Sequence, residues 1–269
     1  MDSVSVNYAP PRHVGTVDDC MFYHSIEIPN YGLIDGLSDM RPSLPILFDP
    51  VNFKGKNVIE IGPASGFFTF EMERRGANVT SIELGPDMDW DYVRHHDGLS
   101  EDVKKQWQAD LERVKNSYWF GHERCSSKAK VVNGTAYDVK RLGLSAEIGL
   151  LSNTLVHLHD PLGAIASLAA SVTETLILCD AEPYTGSRAG TFFRHLFRKK
   201  CVAEFIPRHD NKKNIHTWWH LSAPIVEEYV KILGFTETTL VYFRSGLTKG
   251  AAVDQWAIIA KKPAGLRTV

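Results

Sequence analysis

The stretch Asn57–Gly66, NVIEIGPASG, decides the fold. Val58, Ile59 and Ile61 form a short apolar run of the kind that makes a strand buried in a parallel sheet. Gly62-Pro63-Ala64-Ser65-Gly66 interrupts it, and from Phe67 to Arg75 the pattern turns helical. Phe67, Phe68, Phe70 and Met72 supply an apolar surface, Glu71, Glu73, Arg74 and Arg75 a wet one, and Gly76 a stop. Strand, glycine turn and helix open a nucleotide-binding α/β unit. A second apolar run, Val79–Leu84, carries Glu83 near its end, about 20 residues beyond Gly62. An acidic side chain at that distance suits the two hydroxyls of a ribose.

Upstream of this unit, residues 1–20 are polar, include Pro10-Pro11, and read as extended or loosely ordered. Phe22–Ile28 (FYHSIEI) alternates like a strand and places an aromatic, an imidazole and a carboxylate close together. It reads either as a peripheral strand with packed aromatics or as a cover over an active site, with Tyr23 and His24 in it. Leu44–Phe48 suits a short helix with Pro45 in its first turn.

Downstream, Asp87, Asp89 and Asp91 alternate with Trp90 and Tyr92. No glycine or distal glutamate follows at calcium-loop spacing, so a polar loop anchored by Trp90 is expected, and no metal. Ser100-Glu101-Asp102 opens a helix expected to run through Trp119. Lys130–Val132, Glu147–Leu151 and Thr175–Cys179 read as strands three to five, with Gly134–Asp138, Ser152-Asn153-Thr154 and Asp180-Ala181-Glu182 at their carboxyl ends. Residues 183–222 contain the basic run Arg194–Lys200 and the cluster His216–His220, and do not read as core. Pro224–Leu233 is a helix stopped by Gly234, and Phe235–Phe243 with Asp254–Ala260 reads as a closing antiparallel pair. The expected architecture is α/β: a Rossmann-like, seven-stranded, mostly parallel sheet with helices on both faces. Residues 1–42 form an N-terminal cover, and 43–269 form the main domain, with a lid insertion at about 183–222 before the last two strands.

A chain of 269 residues suits one such domain with additions. Its net charge of −2 offers no overall basic field for nucleic acid. Four cysteines, widely spaced and without a CxxC pair, argue against zinc and a disulfide framework. No signal-peptide pattern and no membrane-length apolar run is present, so a cytoplasmic location is expected.

NVIEIGPASGFFTFEMERRGANVTSIEL, GTAYDV, LLSNTLVHLHDPLGAI and LILCD together resemble the class I S-adenosylmethionine-dependent methyltransferases over about residues 40–182. More narrowly, FYHSIEI, FFTFEMERRGA, DMDWDYV, TAYDV and VHLHDPLGAI resemble the wobble-uridine tRNA carboxymethyltransferase branch and its uncharacterised relatives. The glycine spacing agrees with the broader resemblance. A dinucleotide fingerprint needs glycines where Ala64 and Phe67 stand, so that a pyrophosphate can sit on the helix N-terminus. S-adenosylmethionine has no phosphate. It needs close backbone approach, from Gly62, Pro63, Ser65 and Gly66, and a carboxylate near its ammonium, from Glu60.

The resemblance implies S-adenosylmethionine as cofactor, with Glu83 and Leu84 at the ribose, Thr135, Ala136 and Tyr137 at the adenine, and Asn153 and Thr154 at the methionine or substrate edge. Methyl transfer is an in-line displacement at carbon, and a base is needed only for an acceptor that holds its proton. His157 is the candidate for that base, with Tyr23 and His24 beside the reacting groups; a histidine packed at the following helix is the plain reading of His157. Trp218, Trp219 and His220 read as an aromatic wall for the acceptor or as the base of the lid, and Arg194 as a contact for an anionic acceptor or a solvated residue. The expected acceptor is a small molecule methylated at oxygen or nitrogen. The narrower resemblance implies tRNA instead, with carboxy-S-adenosylmethionine as the alternative donor.

Overall fold

In the computed structural model, residues 6–183, 198–212, 214–247 and 252–263 are described. Arg194, and with it half of the lid's basic run, lies outside them. In chain order come β1 (Tyr8–Ala9), β2 (Ile26–Ile28), β3 (Gly32–Ile34), β4 (Ser38–Asp39), α1 (Leu44–Phe48), β5 (Asn57–Ile61), α2 (Phe67–Arg74) and β6 (Asn78–Glu83). Then follow α3 (Glu101–Arg124), β7 (Lys130–Asn133), β8 (Ala146–Ser152), α4 (Pro161–Ala169), β9 (Val172–Ala181), β10 (Ala203–Phe205), β11 (Trp219–Leu221), α5 (Ala223–Ile232), β12 (Glu237–Leu247) and β13 (Val253–Lys261).

The main sheet has nine strands, in the order β1-β7-β6-β5-β8-β9-β13-β12-β4. The five strands from β7 to β9 run parallel, and β13 and β12 close the sheet antiparallel. The seven expected strands are therefore the inner ones, and the expectation is corrected at both edges. Tyr8 and Ala9 pair with Val132 and Val131, so the N-terminal residues hold a sheet edge where loose chain was expected. Ser38 and Asp39 pair with Leu247 and Gly246 at the other edge. Two-residue strands carry too few positions for alternation to show in the sequence.

Side-chain alternation along the central strands divides the core into two layers. Val58, Ile148, Leu150, Ile177 and Cys179 face one side, with Phe67, Phe68 and Met72 of α2 and Phe120 of α3. Ile59, Ile61, Leu151, Leu176 and Leu178 face the other, with α4, α5 and Trp256. The N-terminal stretch belongs to the first layer: Phe22, Ile26, Ile28 and Met40 are buried in it. The local stop signals work as expected. Gly76 ends α2 at φ +92°, and Ser100 caps α3 by accepting from the Val103 amide. That helix runs to Arg124, past the expected end at Trp119, because its final turns are the buried ones, Ser117–Gly121. No helix among the described residues is long and apolar enough to cross a membrane.

One polar group sits inside the first layer. Glu60 is 2% exposed; its Oε2 accepts from the hydroxyls of Thr69 on α2 and Ser81 on β6. Burial pushes its carboxyl up to about 7, against the pull of those two hydroxyls. The folded protein therefore holds this proton in the window between about 4.5 and about 7, where the unfolded chain has released it. Stability from this group is full below that window, falls as pH rises through it, and is flat above. Glu60→Gln is expected to lose that slope: its stability relative to wild type rises from pH 4.5 to 7, by a few kcal/mol at most. Urea unfolding at a series of pH values measures this, and identical pH slopes in the two proteins would refute it.

Candidate active site

Between β5 and β8 the strand order reverses: the chain moves out to β6 and β7, then returns to the far side of β5. In an open α/β sheet that reversal leaves a crevice at the carboxyl ends of the two strands. The two segments that form it are Gly62–Gly66 after β5 and Asn153–Leu158 after β8. They are in contact. A Cβ on Gly62, which has φ +68°, would lie 2.9 Å from Thr154 Oγ1. A Cβ on Gly66, at φ +84° and at the start of α2, would lie 2.5 Å from the Phe70 ring. Pro63 and Ser65 are buried between them. Neither glycine position admits a side chain, and both backbone conformations suit glycine.

The neighbouring strands add acids and polar turns. Glu83 ends β6, and its Oε1 accepts from the Leu84 amide at 2.8 Å. Burial raises its pKa, against the opposing effects of that amide and of Lys115; Lys115 itself donates to the Leu84 carbonyl. After β7, the Thr135 hydroxyl and amide both donate to Asp138 Oδ2, so the Thr135 side chain is spent within its own turn. The Tyr137 hydroxyl donates to Asp91, which also accepts from the His159 amide. Ala136 is buried between the two. Asn153 takes φ +52°, and its Oδ1 accepts from Gln255 at 2.8 Å. The Thr154 hydroxyl donates to the Ser152 carbonyl.

His157 closes a single 3-10 turn, Leu155–His157, ahead of α4. Its Nδ1–H donates to the His216 carbonyl at 2.6 Å. A carbonyl only accepts, so this bond fixes the tautomer and leaves the lone pair on Nε2. Burial lowers its pKa, and His220 lowers it further, so the ring is neutral near pH 7. Asp180, 4% exposed at the carboxyl end of β9, lies beneath the same turn. Its Oδ2 accepts from the Val156 amide at 3.1 Å and its Oδ1 from the Ala181 amide at 2.7 Å. Burial lifts its carboxyl to about 7.

Tyr23 comes to this carboxylate from the N-terminal segment. Burial and the Asp180 charge both raise its pKa and keep it a phenol. His24, one residue on, goes elsewhere. Its amide donates to Ser65 Oγ, and its ring is buried against Phe67 and Phe68. Burial lowers its pKa to about 4. Tyr23 thus feels the charge of Asp180, which bonds the turn that carries His157, while His24 seats the glycine turn.

Above the turn, residues 214–219 run as a strap. The Trp218 amide donates to the Val156 carbonyl and its indole to the Asp91 carbonyl; the Trp219 indole donates to the His159 carbonyl. His220 sits 3.5 Å from Glu204 in the β10–β11 pair. Both indoles are bonded to backbone carbonyls of neighbouring loops. Arg198 is bonded to Glu182 at 2.7 Å and stacked over Tyr242. Asp180, Asp91, Gln255 and the His216 carbonyl were not foreseen as part of the site. Asp180 ends an apolar strand next to Glu182, a visible signal, but its place under the His157 turn comes from the β8–β9 pairing. A backbone carbonyl leaves no mark in the sequence.

In sequence the chain matches no protein-family model and no curated protein. Its structure is similar to solved methyltransferases. The N-terminal domain of EvdMO1, with SAH bound, superposes with a TM-score of 0.55 at 11% identity, over 90% of this chain and 91% of that one. Magnesium protoporphyrin IX methyltransferase from Synechocystis PCC 6803, also with SAH bound, gives 0.51 at 12% identity, over 82% and 80%. A SAM-dependent methyltransferase from Methanosarcina mazei gives 0.51 at 15% identity, over 81% and 97%. At these identities what is shared is the fold, and the chain has the Rossmann-like fold of these S-adenosylmethionine-dependent methyltransferases.

Proposed function

We propose that this protein is an S-adenosylmethionine-dependent methyltransferase acting on an oxygen or nitrogen of a small-molecule acceptor. The observation that carries the reading is the crevice at the strand reversal. It has a tight turn with glycine at both ends, Gly62 and Gly66, and an acid, Glu83, at the end of the next strand. S-adenosylmethionine and SAH are what the neighbouring solved methyltransferases hold. The residues present fit such a group. Gly62, Pro63, Ser65 and Gly66 offer backbone at close range to its aminoacyl part, where any Cβ at the glycines would collide. Glu60 Oε2 is already bonded to Thr69 and Ser81, which leaves Oε1 for the ammonium. Glu83 and Leu84 meet the ribose. The backbone of Thr135, Ala136 and Tyr137 reads the adenine edge, since the Thr135 hydroxyl is committed to Asp138. Asn153 and Thr154 line the methionine side.

When bound, the sulfonium supplies an activated methyl group, so the protein's own task is alignment and, for a protonated acceptor, proton removal. His157 suits the second role: it is neutral and its tautomer leaves Nε2 as the acceptor. Tyr23, held as a phenol, donates a hydrogen bond to the acceptor and orients it. A carboxylated donor would call for a free cation beside its added carboxylate. Arg198, a cation at the carboxyl end of β9, is bonded to Glu182 and so is not free for such a carboxylate, and the net charge of −2 favours a small acceptor over tRNA.

Isothermal titration with SAH is expected to give micromolar-range binding. Glu83→Ala is expected to weaken it at least about tenfold, the scale of losing hydrogen bonds to a charged group; unchanged affinity would remove Glu83 from the ribose. With a panel of small hydroxyl and amine acceptors, His157→Gln is expected to lower turnover while SAH affinity stays within a few fold. Turnover equal to wild type would show that His157 is not the base.

A further inference from the structure

Asp180 is a buried carboxylate with no cation bonded to it among the described residues. The groups that act on it are burial, which raises its pKa, and the amides of Ala181, Val156 and Leu155, which lower it. Removing an acid from water is costly unless hydrogen bonds replace the water. Here they come from the backbone, and two of them belong to one short turn. Leu155 and Val156 begin the 3-10 turn that ends in His157, and Val156 N–H lies 3.1 Å from Asp180 Oδ2. On its other side the same turn is tied to the strap. The Trp218 amide donates to the Val156 carbonyl at 2.8 Å, and His157 Nδ1–H donates to the His216 carbonyl. The turn is therefore clamped at Val156 from below by Asp180 and from above by Trp218, and the His157 ring is clamped by His216.

The donor and acceptor inventory explains why a carboxylate stands at this position. Among the described residues the bonded neighbours of Asp180 are N–H groups, with Ala181 on Oδ1 and Val156 on Oδ2. A carboxylate presents two accepting oxygens, whereas an asparagine presents one and would turn its own N–H toward one of the amides. Serine and threonine lack the reach to serve both.

We propose that Asp180 is a positioning residue of the transfer site, its carboxylate setting, through the amides of Leu155 and Val156, the turn that aims His157. This rests on the methyltransferase reading, in which His157 faces the acceptor. It adds that the base is mounted on the end of β9, outside the cofactor crevice, and that geometry rather than charge is what Asp180 supplies to it. The titratable groups that face Asp180 are Tyr23 and Cys179; those that face His157 are His216 and His220.

The test is nitrogen-detected NMR of the histidine rings in the full chain, with the His157 signals assigned by their loss in His157→Gln. Wild type is expected to show His157 with its proton on Nδ1 and a titration midpoint below the ordinary histidine value. Asp180→Asn is expected to lose the single tautomer and move the midpoint up toward that value, while still binding SAH. A folded Asp180→Asn protein with the wild-type tautomer and midpoint would overturn the proposal. If that variant fails to fold, wild type alone decides. The Val156 and Ala181 amide signals report the Asp180 titration, and the His157 ring signals are expected to shift in the same step. Ring signals indifferent to that step would also overturn it. Absence of SAH binding in wild type would count against the methyltransferase reading and leave the tautomer result standing.

Discussion

The constraint on which the site depends is the contact between two loops. Gly62 and Thr154 approach so closely that a single added carbon would lie 2.9 Å from the threonine hydroxyl. That approach follows from the parallel pairing of β5 with β8, which sets Ile61 opposite Leu151 and brings the chain out of both strands at the same level. Because the connections then leave in opposite directions, a crevice opens directly above the contact. The φ of +68° at Gly62 and +84° at Gly66 are the left-handed values with which the chain leaves β5 and enters α2. The other parts of the site are arranged around this point: Glu83 one strand to one side, Asp180 one strand beyond β8 to the other.

Three acids stand in this region, and each is held by neutral donors. Glu60 is bonded to two hydroxyls, Glu83 to a backbone amide, and Asp180 to two backbone amides. Burial raises the pKa of all three. An ion pair would satisfy such groups internally and leave little field for a ligand. Hydroxyl and amide partners fix the carboxylates in place but do not cancel them. A crevice of this kind favours a ligand that brings positive charge, and the proposed donor brings two, on its sulfonium and its ammonium. The Glu182–Arg198 pair at the end of β9 shows the contrast: there the acid is neutralised by a cation stacked on Tyr242.

The parts of the fold that could be read in the sequence are those with many residues in one pattern. NVIEIGPASG gave strand, turn and helix within one residue of the observed ends, and Glu83 was placed by a fixed interval from Gly62. The edges of the sheet escaped, because Tyr8-Ala9 and Ser38-Asp39 are paired by partners more than a hundred residues away. The role of the N-terminal segment was half legible. Alternation in FYHSIEI marked a strand, but burial of Phe22, Ile26 and Ile28 against α2 and α3 depends on tertiary packing. Within the site, the Thr135 hydroxyl is bonded to Asp138 in its own turn, a contact that residue type alone does not announce. Asp180 was seen as a strand end and no more, since its function depends on which turn β8 delivers to it.

The crevice is covered from two sides, and the two covers differ in what displacing them costs. The N-terminal segment inserts Phe22, Ile26, Ile28 and Met40 into the core, each nearly or fully buried. Exposing side chains of this size costs about 1.5–3 kcal/mol apiece, so lifting this cover would cost a large fraction of a domain's whole stability. The strap at 214–219 is held differently. It buries Ile215 fully, packs Trp219 against the second core layer and His216 against Trp107, and makes hydrogen bonds to Val156, His157, Asp91, Val93 and His159. Each of these is worth only about 0.5–1.5 kcal/mol net, because water replaces what is broken. Entry past the strap is therefore the cheaper route for an acceptor. The strap also carries the His216 carbonyl that accepts from His157 Nδ1–H, so the strap and the His157 ring are tied together by a single backbone hydrogen bond.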